Sequence, residues 1–105
     1  MAKRDKILQQ WTKAKDEQYA TVEAVLRHYG FTLVSRTGSH CVYEHAKLRE
    51  TYARFKNVNV DLKKRFGPDG QLTVPLRGGQ KVAGVYLRDI LVAVEIVTEG
   101  DNGNG

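Results

Sequence analysis

The stretch FTLVSRTGSHCVYEH, from Phe31 to His45, decides the fold of this 105-residue chain. Apolar and polar residues alternate on either side of Thr37-Gly38-Ser39. This pattern is typical of two half-buried strands that are joined by a tight turn. A three-residue loop, Thr37-Gly38-Ser39, pairs Phe31 with His45 and Leu33 with Tyr43. It is preferred because it keeps the apolar side chains on one face of the hairpin.

The alternative is a two-residue loop at Thr37-Gly38, which would pair Phe31 with Glu44 and mix apolar and acidic side chains. In the preferred register Arg36 lies directly across from His40, with about 5 Å between their Cβ atoms. Both then project from the face opposite the core. Cys41 falls on the core side and is interpreted as a small buried residue.

The flanking segments alternate between helical and extended patterns. Residues 3–15 are predicted to form a helix that ends at a break over residues 15–18. Residues 21–29 form a second helix, with Thr21 as its N-cap and Gly30 as its terminator. Residues 71–76 are predicted to form a strand, and Pro75 places it at the edge of a sheet or marks the strand's end, because proline cannot donate a ladder hydrogen bond. Residues 85–97 also alternate like a strand, but their length favours a helix.

The remaining segments are less regular. Residues 46–70 are interpreted as a basic excursion, with a possible helix face at Leu48, Tyr52 and Phe55, an alternating run over residues 58–62 and a turn over residues 67–70. Residues 77–81 are predicted to be a flexible basic loop, and residues 98–105 a disordered tail. Helices that flank a series of strands favour an α+β fold, in which helices cover one face of an antiparallel sheet. The chain is expected to be one domain over residues 1–97.

Composition and charge limit the classes of function. No run of eighteen apolar residues is present, so no membrane span is expected. A single cysteine, Cys41, favours a reducing cytoplasm. Ten basic residues but only four acidic ones lie between Ser35 and Lys81, so the whole positive excess of the chain, net +5, surrounds the hairpin. Such a field favours a polyanionic partner, although it is equally typical of a solvated surface.

His40 is the candidate for chemistry in this basic segment. An imidazole exchanges protons near neutral pH, and guanidinium groups bind phosphate oxygens. The combination indicates a phosphodiester substrate, and RNA carries its own nucleophile in the 2′-hydroxyl. The competing interpretation is an exposed strand histidine without a role. A metal site of His40, Cys41 and His45 is not expected, because alternation divides them between two faces and their spacing matches no common zinc pattern.

A set of short motifs follows in order from residue 28 to residue 91: His28-Tyr29-Gly30-Phe31, Arg36-Thr37-Gly38-Ser39-His40, Tyr43-Glu44-His45, Leu72-Thr73-Val74-Pro75, Gly78-Gly79-Gln80-Lys81-Val82 and Leu87-Arg88-Asp89-Ile90-Leu91. Through these motifs residues 21–97 resemble the HicA toxin family, also called YcfA-like. The resemblance implies a fold like that of a double-stranded RNA-binding domain, α-β-β-β-α. Here an extra N-terminal helix and an insertion between the second and third strands would be added.

The resemblance also implies an activity. Members of this family are metal-independent ribonucleases that cut mRNA in the cytoplasm, need no cofactor and are neutralised by a HicB antitoxin. The family's catalytic histidine corresponds to His40. Arg77 occupies the region where members often carry a second basic residue or histidine. The residues expected to bind RNA phosphate are Arg36, Ser39, Arg77 and Lys81. The alternatives are a non-catalytic RNA-binding module of the same fold and a protein-interaction module.

Overall fold

Helices and strands alternate along the part of the chain that the structure, a computed structural model, describes: residues 3–55, 66–67, 70–78 and 80–98. These residues form an α+β fold with four helices and two antiparallel sheets. The helices are α1 (Lys3–Trp11), α2 (Tyr19–His28), α3 (Ala46–Phe55) and α4 (Gly84–Thr98). The strands are β1 (Asp16–Gln18), β2 (Thr32–Thr37), β3 (His40–Glu44), β4 (Gln71–Pro75) and β5 (Lys81–Ala83). None of the described helices is both long and apolar enough to cross a membrane.

The turn between β2 and β3 differs from the predicted one. Thr37 pairs with His40, so the loop contains only Gly38 and Ser39. Gly38 has φ +58°, which suits the first central position of a two-residue hairpin turn, where glycine is favoured. The predicted three-residue loop is therefore wrong, and so is the pairing of Arg36 with His40. Arg36 lies opposite Cys41 instead.

A β-bulge reconciles this turn with the expected apolar pairing. The register of β2 shifts between Leu33 and Ser35, so that Val34 is the extra residue. Beyond the bulge Leu33 pairs with Tyr43, as predicted, and the rings of Phe31 and His45 lie 5.0 Å apart. The bulge thus keeps Leu33 on the core face although the turn is one residue shorter than expected.

The three-stranded sheet has the order β2-β3-β4, so β4 is an edge strand, as its proline predicted. Pro75 lies opposite His40, and the amide of Leu76 donates to the carbonyl oxygen of Ser39 at 2.7 Å. This pattern makes the His40–Pro75 pair a non-hydrogen-bonded pair. The missing N–H of Pro75 therefore costs the ladder nothing.

One face of this sheet is buried beneath the helices. Cys41, Tyr43, Leu72 and Val74 alternate with exposed or half-buried neighbours and are almost fully buried. They pack with the apolar faces of the helices, and the other buried hydrophobic side chains among the described residues are Trp11, Val22, Val25, Leu26, Phe31, Leu48, Tyr52, Phe66, Leu76, Val82, Leu87, Ile90, Ala93, Val94 and Val97. On the other face His40, Ser35, Thr37 and Thr73 are exposed. This face is called the open face below.

The segment predicted as a break, residues 15–18, contains β1. It pairs antiparallel with β5, which begins at the last residue of the predicted flexible loop, Lys81, and for which the sequence gives no strand signal. Gly84 makes this approach possible, because a Cβ atom there would collide with the carbonyl oxygen of Ala14. The amide of Gly84 also donates to the carbonyl oxygen of Lys15 at 2.6 Å. The N-terminal segment is therefore fastened directly to the start of α4.

The predicted helix boundaries are correct to within a few residues. The first helix ends at Trp11, short of residue 15. The second begins at Tyr19 with Gln18 as its N-cap, so the assignment of Thr21 as N-cap is wrong. Gly30 follows it with φ +88°, as expected of a terminator. The excursion contains α3, with Leu48 and Tyr52 buried. The predicted alternating run over residues 58–62 and residues 99–105 of the predicted tail lie outside the described residues. Thr98, predicted to be the first residue of that tail, is instead the last residue of α4.

Two glycines with left-handed backbones provide a matched test of the contact between α3 and β4. Gly38 has φ +58° and open space where a methyl group would lie, whereas at Gly70, φ +73°, a Cβ atom would lie 2.5 Å from the backbone nitrogen of Arg49. We expect Gly38→Ala to lose about 1–2 kcal/mol of unfolding free energy through backbone strain alone. Gly70→Ala should lose a further 1–3 kcal/mol, roughly, because the start of α3 must shift. Urea denaturation measures both; equal losses would contradict the close packing at Gly70.

Candidate nucleic-acid interface

His40 lies at the first position of β3, next to the Gly38-Ser39 turn, and its side chain is exposed. Its neighbours across the sheet are Thr37 on β2 and Pro75 on β4. Within the described residues, no hydrogen bond or ion pair engages its ring. The imidazole thus projects freely from the open face, and the hydroxyl of Ser39 is exposed beside it in the turn.

Arg77 and Lys81 form a small hairpin at the same end of the sheet, called the cationic hairpin below. The two residues exchange both backbone hydrogen bonds, at 2.7 and 3.1 Å, which makes them direct cross-strand partners. Both are exposed. Like charges placed directly opposite each other repel, and a bound anion would offset that repulsion.

The cationic hairpin is joined to the His40 turn through the backbone. Leu76, which donates to the carbonyl of Ser39, directly precedes Arg77. Pro75 faces His40, Leu76 is buried and Arg77 is exposed, so Arg77 projects away from the core. Arg77 thus lies two residues after Pro75, the cross-strand partner of His40.

Lys81 already has one acidic neighbour. Its Nζ lies 3.9 Å from Oδ2 of Asp16 on β1, and about half of each side chain is exposed. Exposed pairs of this kind contribute little and are screened by salt. A phosphate can therefore compete with Asp16 for the ammonium group.

Arg36, expected beside His40, lies on the other face of the sheet. Because it pairs with Cys41, its side chain points toward the helices. There its guanidinium lies 5.6 Å from the centroid of the Tyr19 ring, a cation–π contact. Of the four residues predicted to bind phosphate, Ser39 and Arg77 thus lie by His40, Lys81 lies in the same hairpin as Arg77, and Arg36 is separated from them by the sheet.

Beneath Arg36 is a polar network that the sequence did not reveal. The hydroxyl oxygens of Tyr19 and Tyr43 are hydrogen-bonded to each other, and they lie 3.1 and 3.3 Å from Oε2 of Glu23. Each hydroxyl has one proton, so one tyrosine donates to the other while the second donates to Glu23. Glu23 also lies 3.7 Å from the guanidinium of Arg27. Burial raises the pKa of Tyr43 to about 12, and burial, followed by the bond to Tyr43, also raises the pKa of Tyr19.

These shifts predict a loss of stability at alkaline pH. The pKa of Tyr43 in the folded protein exceeds the ordinary value of 10.0, so its contribution to unfolding free energy is complete below pH 10 and falls as the pH rises toward 12. We expect the decline to reach about 2 kcal/mol. Urea denaturation at stepped pH should show a flatter decline for Tyr43→Phe than for the wild type. Parallel curves would contradict the assignment.

The other two histidines have structural surroundings. His45 precedes α3 and caps it, since its Nδ1 accepts from the amide of Lys47 at 3.0 Å. Its Nε2 lies 3.1 Å from the carbonyl oxygen of Tyr29 and must donate to it, which fixes the neutral tautomer with the proton on Nε2. His28 is exposed at the end of α2, with its ring edge-on to Tyr29. Within the described ranges, no three His, Cys, Asp or Glu residues are placed to hold a metal ion.

Comparison with known proteins adds nothing to this geometry: no family model, no curated protein and no solved structure matches the chain.

Proposed function

We propose that this protein is a HicA-like toxin, a metal-independent endoribonuclease that cleaves mRNA with His40 as its catalytic residue. The observation that carries the proposal is the exposed imidazole of His40 on the open face, which has no hydrogen-bond or ion-pair partner among the described residues and lies beside the cationic hairpin. The order α2-β2-β3-β4-α4 is also the order expected of a fold like the double-stranded RNA-binding domain, with α3 added before β4 and β5 added before α4.

The chemistry requires little more than proton transfer and charge stabilisation. The imidazole of His40 removes the proton of the 2′-hydroxyl, the 2′-oxygen forms a bond to phosphorus, and the bond from phosphorus to the 5′-oxygen breaks. The departing 5′-oxygen takes a proton from water, leaving a 2′,3′-cyclic phosphate and a 5′-hydroxyl. His40 can instead act as the acid, with water as the base. A single transfer by a positioned side chain contributes typically ~10²–10⁴-fold.

The cationic hairpin supplies the charge. Arg77 lies nearest the turn and binds the scissile or adjacent phosphate, while Lys81 exchanges Asp16 for a phosphate oxygen. Ser39, exposed in the turn, donates a further hydrogen bond from its hydroxyl. Arg36 lies on the covered side of the sheet, so its contribution is to the general positive field.

The hairpin gives a direct prediction about binding. Arg77→Gln should weaken binding of single-stranded RNA and reduce the slope of log affinity against log salt by about 0.7, the value for one phosphate contact. Fluorescence anisotropy from low to high salt measures that slope. Arg88→Gln is the matched control, because this guanidinium bonds to backbone carbonyls of residues 11 and 14 at the base of α1. An unchanged slope for Arg77→Gln would exclude this phosphate contact.

The proposal extends to partners and compartment. A toxin of this class acts on mRNA in the cytoplasm and is held inactive by a HicB-type antitoxin. The positive excess around the hairpin supports an RNA partner. Co-expression with a small HicB-like reading frame from the neighbouring gene should yield a stable complex and relieve any toxicity.

A non-catalytic RNA-binding module of the same fold is the second candidate. One observation favours it: within the described residues, no acidic group bonds to the His40 ring to orient it. Such a module would bind RNA with the same dependence on salt but leave it intact.

One experiment separates the two candidates. Single-stranded RNA is incubated with the full chain, with and without EDTA, and the products are resolved on a denaturing gel. The proposal predicts cleavage that EDTA does not reduce. Intact RNA together with tight binding would favour the binding module.

A further inference from the structure

A second feature of the open face lies four residues along β3 from His40, about 13 Å away at the usual rise per residue. It is a depression of about 420 Å³, and its walls include Thr32, Val34, Glu44, Ala46 and Arg49. The cationic hairpin thus lies at one end of the open face, and this depression lies at the other.

The two charged residues of the depression are both available to a ligand. Glu44 accepts one hydrogen bond at Oε2, from Nε2 of its cross-strand partner Gln71 at 3.0 Å. This bond orients the carboxylate and leaves its other lone pairs open. Arg49, exposed on the first turn of α3, makes no side-chain hydrogen bond or ion pair with any described residue. Opposite charges that line one depression without contacting each other leave room for a group between them.

Of the other lining residues, Val34, Ala46 and Gly30 are apolar, Thr32 adds a hydroxyl, and both ring nitrogens of His45 are already hydrogen-bonded. The β-bulge turns Val34 toward this face, where 46% of the residue is exposed. Ala46 begins α3 on the other side. Bulges are frequent beside functional sites, where they redirect a side chain. An apolar wall next to a few convergent polar groups is the usual construction of a small-ligand site.

We propose that this depression binds a guanine base of the RNA, a few nucleotides from the cleaved phosphate. A carboxylate on an RNA-binding face repels phosphate, so its ligand must be a hydrogen-bond donor. The Watson–Crick edge of guanine offers two adjacent donors, N1–H and the 2-amino group, to Glu44. Its O6 and N7 acceptors match an arginine, here Arg49. Single-stranded RNA exposes both edges to such contacts.

The inference rests on the proposed function, and its test measures binding apart from cleavage. The probes are short 2′-O-methyl oligouridylates, which lack the attacking hydroxyl, with one central guanosine, inosine or adenosine. Fluorescence anisotropy with the full wild-type chain should show guanosine favoured over adenosine by between about 5- and 100-fold. Inosine, which lacks the 2-amino group, should bind with intermediate affinity.

Two variants test which edge of the guanine base each of the two charged residues contacts. Glu44→Gln should abolish the preference for guanosine over inosine, and Arg49→Gln should weaken guanosine binding while keeping that preference. Glu50→Gln is the matched control, because it removes an equal charge from an exposed position on α3 and should leave every ratio unchanged. Circular dichroism verifies that each variant is folded.

The outcomes separate the two proposals. Equal affinity for the three probes, or a guanosine preference that survives in Glu44→Gln, overturns the guanine site and leaves the ribonuclease proposal standing. Failure of the wild type to bind any of the probes, together with failure to cleave RNA, overturns both.

Discussion

Replacing His40 with glutamine is expected to lower the rate of RNA cleavage by ~10²–10⁴-fold. The loss follows because the imidazole is the group proposed to transfer a proton at the 2′-hydroxyl or the 5′-oxygen, and an amide cannot replace it. The affinity for RNA should stay nearly constant, because phosphate binding is assigned to the cationic hairpin. Single-turnover cleavage and anisotropy binding, measured on the same preparations, separate the two effects.

His28→Gln is the matched control for this substitution. His28 is also exposed, but it lies at the end of α2 against Tyr29 and away from the open face. Its replacement should leave the cleavage rate unchanged. Equal rates for wild type and His40→Gln would remove His40 from the chemistry, whereas equal losses in both variants would indicate a general effect of the substitution.

Trp11→Ala is expected to destabilise the fold by about 3–5 kcal/mol. Trp11 is completely buried at the end of α1, and its indole nitrogen donates to Oε2 of Glu17 at 3.2 Å. The main-chain carbonyl of the same residue accepts from Arg88 at 3.4 Å. Small domains have about 5–15 kcal/mol of stability in total, so this variant should lie near its unfolding midpoint in mild urea.

The substitution that controls for this packing is Gln10→Ala, at an exposed position on the same helix. It should change the unfolding free energy by no more than about 0.5 kcal/mol. If Trp11→Ala lost less than about 1 kcal/mol by urea denaturation, α1 would not belong to the cooperatively folding unit. Such a result would contradict the fastening of β1 and α1 to α4.

The hairpin illustrates what alternation in a sequence can and cannot predict. The pairing of Leu33 with Tyr43 is predictable because burial of apolar side chains determines register. The length of the turn is not predictable, because one extra residue shifts the alternation of side chains equally whether it lies in the loop or in a bulge of the strand. Val34 shows the ambiguity: its apolar side chain gives no sign that it is the extra residue of the strand.

The small sheet of β1 and β5 is not predictable from the sequence, for a different reason. Asp16-Glu17-Gln18 has no apolar alternation, and the burial of its partner Val82 comes from contacts distant in sequence. The long helices are predicted with small errors at their ends, because their periodic apolar faces are local signals. Pro75 likewise indicates an edge strand from its own chemistry.

The candidate site also has one feature that the sequence predicts and several that it does not. The exposure of His40 on the open face follows from alternation within β3. The separation of Arg36 from His40 depends on the length of the Gly38-Ser39 turn. The Arg77–Lys81 pairing depends on a hairpin whose two glycines, in the sequence, are equally typical of a flexible loop. The depression lies between β3, which carries Glu44, and α3, which carries Arg49, so no single segment of the sequence predicts it.

The most direct measurement uses a DNA oligonucleotide that contains one ribonucleotide, incubated with the wild-type chain in EDTA. Catalysis by His40 predicts one cut, immediately 3′ of the ribose, that leaves a 2′,3′-cyclic phosphate and a 5′-hydroxyl, with an all-DNA strand left intact. Cleavage of the all-DNA strand, 5′-phosphate ends, or an uncut chimera under conditions in which it is bound would contradict catalysis by His40 through the 2′-hydroxyl.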